Sequence, residues 1–125
     1  MASEGFHERE ERLKPETRDM HRAVVSLMEE LEAIDWYQQR MDVAHDDELR
    51  AILRHNRDEE MEHAAMVLEW IRRRNPTLDG KLRPYLFTSG SIVEREDAAE
   101  RGANGNGSCG PASPRPTIGS LRGGR

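Results

Sequence analysis

Glu29-Glu30-Leu31-Glu32 and Glu59-Glu60-Met61-Glu62-His63 are the two stretches whose reading decides the fold. Both lie inside long helical patterns. The second contains Glu60-x-x-His63, and residues at i and i+3 project from the same side of a helix. Around the first, Met20, Val24, Leu27, Leu31, Ile34 and Met41 step by threes and fours, with a gap at Gln38. That is helical periodicity, and it predicts a first helix from about Pro15 to Ala44. Pro15 suits a first turn, where its missing N–H costs little. A second helix is predicted over Asp47–Arg74, with the stripe Leu49, Ile52, Leu53, Asn56, Glu60, His63, Val67, Trp70 and Ile71. Asp46 and Asp47 supply cap and first-turn chemistry. Arg72, Arg73 and Arg74 suit the negative end of the helix dipole, and Asn75-Pro76 stops the run. The short break at His45-Asp46-Asp47 makes the pair an antiparallel hairpin of helices about 45 Å long.

Glu30, Glu60 and His63 interrupt apolar stripes, and that is their significance. Ile34, Tyr37 and Met41 follow Glu30 at i+4, i+7 and i+11, with Leu27 one turn before it. An ionised carboxylate on a buried face costs several kcal/mol, roughly, unless it is paired or bound to a metal. A lone histidine on such a face is usually a satisfied core residue, and a lone Glu-x-x-His is common by chance in an acidic helix. The three together favour a metal site. Carboxylate and imidazole donors suit iron or manganese better than a thiolate-preferring metal. A dinuclear carboxylate centre in a four-helix bundle takes one Glu from each of two helices and Glu-x-x-His from each of the other two. This chain carries half of that set. A two-fold dimer supplies the remainder, so that two irons are shared by two subunits, one per subunit. Tyr37 can ligate or hydrogen-bond beside the centre, or simply pack as a core aromatic with its hydroxyl at the edge.

Composition agrees with an assembly. The chain has 125 residues, 35% hydrophobic and 34% charged. Each long helix buries one stripe, so two cannot enclose a core alone. The expected fold class is all-α: an antiparallel two-helix hairpin plus a short C-terminal helix over Leu78–Phe87, dimerising into a four-helix bundle. A net charge of −5 without a basic stripe argues against nucleic acid. No run of about 18 apolar residues suggests a membrane span. The polar start, Met1 to Arg12, shows no secretory signal. A single cysteine, Cys109, offers no disulfide framework, which fits a reducing cytoplasm.

The rest divides by composition. Residues 1–13 read as a flexible polar leader and 14–90 as the helical domain. Residues 91–116 read as a linker, charged and then Gly/Pro-rich, and 117–125 as a terminal peptide. In that peptide Ile118 and Leu121 are the only large apolar residues after Val93. A small apolar island on a tether has the form of a docking peptide; an accidental tail end is the alternative. Glu29, Glu32 and Trp36, at i, i+3 and i+7, form a second face. It could attract Fe²⁺, although such runs are more commonly solvated. His55, Glu59 and Glu62 are assigned to the surface. His7, His21 and His45 lack partners at ligand spacing. No Ser/His/Asp set, phosphate loop or CxxC is present.

Met20-His21-Arg22-Ala23, Glu29 through Tyr37, His55 through Ala64, Leu68 through Arg73 and Leu82 through Thr88 closely resemble the encapsulated ferritins, over roughly residues 15–90. The resemblance implies a two-helix half-ferritin of the ferritin-like superfamily. Its dimer would build a ferroxidase centre between subunits, and five dimers would form a ring-shaped homodecamer. Glu30, Glu60 and His63 would be the metal ligands, with Tyr37 beside the centre. Glu29 and Glu32 match the family's acidic site for incoming metal, next to Trp36. Pro84 departs from the pattern, which more often has a helix-compatible residue there. Ile118-Gly119-Ser120-Leu121-Arg122 looks like the peptide that docks such cargo inside an encapsulin shell. The implied function is oxidation of Fe²⁺ to Fe³⁺ inside a cytoplasmic nanocompartment, for iron storage and detoxification. The alternatives are a non-catalytic helical cargo or adaptor, and another di-metal carboxylate oxidase or peroxidase.

Overall fold

The computed structural model describes residues 5–104, and all regular structure among them is helical. A single 3₁₀ turn, Glu10–Arg12, precedes α1 (Pro15–Val43), α2 (Asp47–Arg74), α3 (Pro76–Leu82) and α4 (Ile92–Asn104). The described chain falls into two compact units divided after Gly80, within α3.

The first unit is the α1–α2 hairpin. Helix α1 ends one residue before the predicted boundary, and α2 has the predicted bounds. The connection is held by its own side chains. Asp46 caps α2, its carboxylate accepting the Leu49 N–H at 2.7 Å. The Arg50 guanidinium donates back to the Ala44 carbonyl and to Asp47. Further along, the Arg57 guanidinium donates to Gln38 Oε1 at 2.6 Å, joining the two helices. Gln38 is therefore no defect in the α1 stripe; it is a polar tie between the helices.

At the far end of α2, Arg72 forks between Glu69 on its own helix (2.6 and 2.8 Å) and Asp79 on α3 (2.5 Å). Arg72, and after it Arg73, hold the Glu69 carboxyl down to about 2. Asn75 closes α2, and its side chain accepts the Leu78 N–H at 3.0 Å, capping α3.

The sequence placed a third helix over Leu78–Phe87, and the structure corrects this to Pro76–Leu82. Asn75 starts the helix earlier. Pro84 ends it, because a proline disfavours helical backbone at the preceding residue, Arg83. In the second unit a turn follows, with the Leu82 carbonyl accepting from Tyr85 and Leu86. Phe87 takes a positive φ of 60°. The charged half of the stretch expected to be linker is instead α4, whose first turn is capped by Ser91 accepting the Glu94 N–H at 3.3 Å. The leader also has structure: beyond the 3₁₀ turn, the Phe6 ring lies 4.4 Å from that of His21. Cys109 and residues 117–125 lie outside the described residues.

The core is small. Met41, Leu53, Ala64 and Ile71 are the buried apolar residues, and no described side chain is completely enclosed. Leu31 (54% exposed), Ile52 (52%) and Met66 (61%) remain open to solvent, as do Val24, Met28 and Met61. Each large aliphatic side chain is worth about 1.5–3 kcal/mol when fully buried, so the lone hairpin leaves much of its apolar stabilisation unrealised.

Replacing the α2 cap, Asp46→Ala, is expected to lower unfolding stability by about 1 kcal/mol. Urea denaturation followed by circular dichroism measures it; an unchanged midpoint would remove the cap from the account of the turn.

Candidate metal centre

Glu30 stands mid-way along α1, and Glu60 and His63 one turn apart on α2. The antiparallel pairing brings them level. Their ligand atoms lie within 4.8 Å of one another. His63 Nδ1 is 3.0 Å from Glu60 Oε2 and 3.8 Å from Glu30 Oε2. Neither carboxylate is deeply buried: their side chains are 25% (Glu30) and 23% (Glu60) exposed, and that of His63 is 46% exposed. The trio thus opens on one lateral flank of the hairpin.

The three side chains shift one another's proton affinity. A hydrogen bond with Glu60 raises the Glu30 carboxyl, helped by burial and by the charge of Glu60. The same bond lowers Glu60, and His63 lowers it further. A hydrogen bond to Glu60 raises His63 above its ordinary 6.5, against some desolvation. A divalent ion bound by these groups would displace the proton of His63, which its neighbours hold in place. An octahedral ion with bonds of about 2.1 Å spaces adjacent donors about 3 Å apart; the His63–Glu60 separation of 3.0 Å matches this, and the His63–Glu30 separation of 3.8 Å exceeds it. Two oxygen donors and one nitrogen fit a borderline ion such as Fe²⁺.

Among the described residues, no other group of three His, Cys, Asp or Glu side chains converges in this way. Glu29 and Glu32 are exposed and outside the trio. With Trp36, 49% exposed, they lie on the face of α1 turned away from α2. Tyr37 is half-buried two turns from Glu30, about 10.5 Å along the helix. It is not brought to the trio; the Arg40 guanidinium sits 5.3 Å above its ring. His55 pairs with Glu59 at 3.8 Å on the solvent side. Arg57, which ties α2 to α1 near Tyr37, was not marked by the sequence reading, because a surface arginine carries no spacing signal.

Residues 5–89 match the EncFtn-like family. The chain belongs to that family. Its relatives include an encapsulated ferritin-like protein of Rhodospirillum rubrum, 52% identical over 98% of this chain and 91% of its own. A ferritin-like protein of Thermotoga maritima is 50% identical over 82% of this chain and 90% of its own. An encapsulin nanocompartment cargo protein of Myxococcus xanthus is 32% identical over 94% and 95%. The crystal structure of a Nitrosomonas europaea protein superposes with a TM-score of 0.69 at 60% identity, over 70% of this chain and 97% of that one. The EncFtn-like match ends two residues before Ser91, so it covers the hairpin that carries the trio and stops short of α4. No described helix is long and apolar enough to cross a membrane.

Metal loading of this EncFtn-like hairpin is expected to release protons, because ligands bind metal in their deprotonated forms. His63 holds its proton more tightly than an ordinary imidazole, so apparent affinity should rise with pH through the region above 6.5. Calorimetric titration in buffers of differing ionisation heat measures the protons released. Equal heats in all buffers would contradict proton-for-metal exchange.

Proposed function

We propose that this chain is the ferroxidase subunit of an encapsulin compartment. In this reading two hairpins pack flank to flank, and Glu30, Glu60 and His63 from each enclose a pair of iron ions, one per subunit. The bundle so formed is the ferritin-like four-helix arrangement. The observation that carries the reading is the convergence of those three side chains on an open flank. One hairpin offers too few donors to saturate an octahedral ion, and it also lacks enough core to bury its apolar stripes. A two-fold partner remedies both.

The chemistry is oxidation of Fe²⁺, the substrate, to Fe³⁺, with one electron leaving each ion for O₂ or a related oxidant. The chain's residues bind and orient the ions. Glu30 and Glu60 supply negative charge that favours the higher oxidation state. His63 supplies a neutral donor once its proton has left. Tyr37, two turns from Glu30 toward the hairpin turn, belongs in this reading to the surroundings of the assembled centre and is not one of its ligands. Glu29 and Glu32, near Trp36, gather Fe²⁺ from solvent. Dimers assemble into a ring-shaped homodecamer, which has no storage cavity of its own. Mineral for iron storage and detoxification then accumulates in the surrounding shell. Residues 1–13 serve as leader, 14–90 as the half-ferritin domain and 91–116 as the connection to the shell-docking peptide at 117–125, with Ile118, Gly119, Ser120, Leu121 and Arg122 as its contact residues. The relatives named as encapsulated and as encapsulin cargo support this placement, cytoplasmic and inside the shell.

Glu30→Ala or His63→Ala is expected to reduce Fe²⁺ oxidation by at least about tenfold while the helical circular dichroism persists. The reduction corresponds to the order of magnitude lost when one ligand or its support is removed. Variants oxidising iron at the parent rate would leave a non-catalytic helical cargo as the better reading. Metal analysis after anaerobic loading separates iron from manganese. Deleting 117–125 is expected to abolish co-purification with the shell protein; retained loading would assign docking elsewhere.

A further inference from the structure

Asn56 is a further polar residue on the apolar stripe of α2, and the metal trio does not account for it. It stands four residues before Glu60 and seven before His63, one and two turns along the same side of the helix. Buried Leu53 lies one turn behind it, and Asn56 itself is half-buried. Asparagine is unfavourable at such a place on two counts. It is among the weaker helix formers, and a half-buried amide loses water contacts that only a partner restores. Among the described residues the Asn56 amide has no hydrogen-bond partner.

The need for such a donor arises at Glu60. In the metal-free hairpin the Glu60 carboxylate is bonded to Glu30 and to His63, the imidazole lying at 3.0 Å. A cation held by all three would take Glu30 and His63 as ligands of its own and release both bonds. A carboxylate that gives one oxygen to a cation keeps the other free, and metal-ligating carboxylates are ordinarily held by a further hydrogen bond. Few groups on α2 can supply it. Backbone N–H groups inside the helix are committed to carbonyls one turn earlier. The Arg57 guanidinium, three residues from Glu60, is taken by Gln38 at 2.6 Å and by Asp58 at 2.8 and 3.1 Å. Asn56 is uncommitted. Side chains at i and i+4 are neighbours, about 5–6 Å apart at Cβ, and an amide N–H at that spacing reaches a glutamate oxygen.

We propose that Asn56 is a positioning residue of the metal centre: its side-chain amide donates to the Glu60 oxygen that a bound cation leaves free, and so orients that ligand. The proposal rests on the reading of Glu30, Glu60 and His63 as metal ligands. Asn56 itself touches neither metal nor oxidant.

The test titrates the full chain with Co²⁺, whose visible absorption reports both occupancy and ligand geometry. The variants are Asn56→Leu, which keeps the volume and loses the amide, and Asn56→Gln, which keeps the amide. Asn56→Leu is expected to bind Co²⁺ at least about tenfold more weakly, as removal of a residue that supports a ligand does, and to alter the absorption bands. Its urea midpoint should not fall, because leucine is the better helix former and no existing bond is lost. Asn56→Gln is expected to keep most of the parent affinity and the parent spectrum. An Asn56→Leu chain that binds Co²⁺ like the parent overturns the proposal. So do Leu and Gln variants weakened alike with their helices intact, since shape rather than hydrogen bonding would then matter. His63→Ala is the control. If it leaves the titration unchanged, the metal reading fails and this inference falls with it; if it abolishes binding while Asn56→Leu does not weaken it, only this inference fails.

Discussion

The structure depends on the antiparallel pairing that holds the carboxylates of Glu30 and Glu60 level, with the His63 imidazole 3.0 Å from one and 3.8 Å from the other. Glu30 and Glu60 would repel each other as bare anions. Their mutual hydrogen bond raises the Glu30 carboxyl and lowers that of Glu60. Such an arrangement is poor material for stability, since opposed pKa shifts and half-exposed polar groups contribute little to folding. It is good material for a cation, which can neutralise both charges at once.

The rest of the fold supplies register and leaves faces open. Asp46 and Arg50 fix the turn, and Arg57 ties α2 to Gln38, so that residue 63 comes level with residue 30. Arg72 bridges Glu69 and Asp79 at the opposite end. Between these polar clamps the buried core is only Met41, Leu53, Ala64 and Ile71. The exposure of Leu31, Ile52, Met61 and Met66 is the complement of that thin core. A hairpin with so thin a core leaves apolar surface that a partner would bury, the common remedy for small domains with insufficient core.

The long helices were legible because their signals were redundant. Periodicity, the aspartate caps, the arginine run and Asn75-Pro76 all pointed to the same bounds for α2. The trio was legible for a different reason: three polar groups broke two apolar stripes at ligand spacing. What could not be read depended on competition between local signals. Pro84 outweighed the apolar pattern through Phe87, and Asn75 began α3 early by capping it. Helix α4 was hidden because its stretch is charged throughout and has few apolar residues to mark a face. The Phe6–His21 contact was hidden because it joins residues fifteen apart with no periodic relation. Tyr37 was assigned to the centre, and the single hairpin leaves it two turns away with Arg40 over its ring.

The central claim is that the metal centre is completed by a second copy of the chain. A native mass spectrum recorded during an anaerobic Fe²⁺ titration tests it most directly, because mass reports subunits and bound ions together. The account predicts that iron appears on assemblies with an even number of subunits, reaching one ion per subunit, and not on the monomer. Monomers that take up iron in the same proportion as assemblies, or assemblies that carry none, would contradict it.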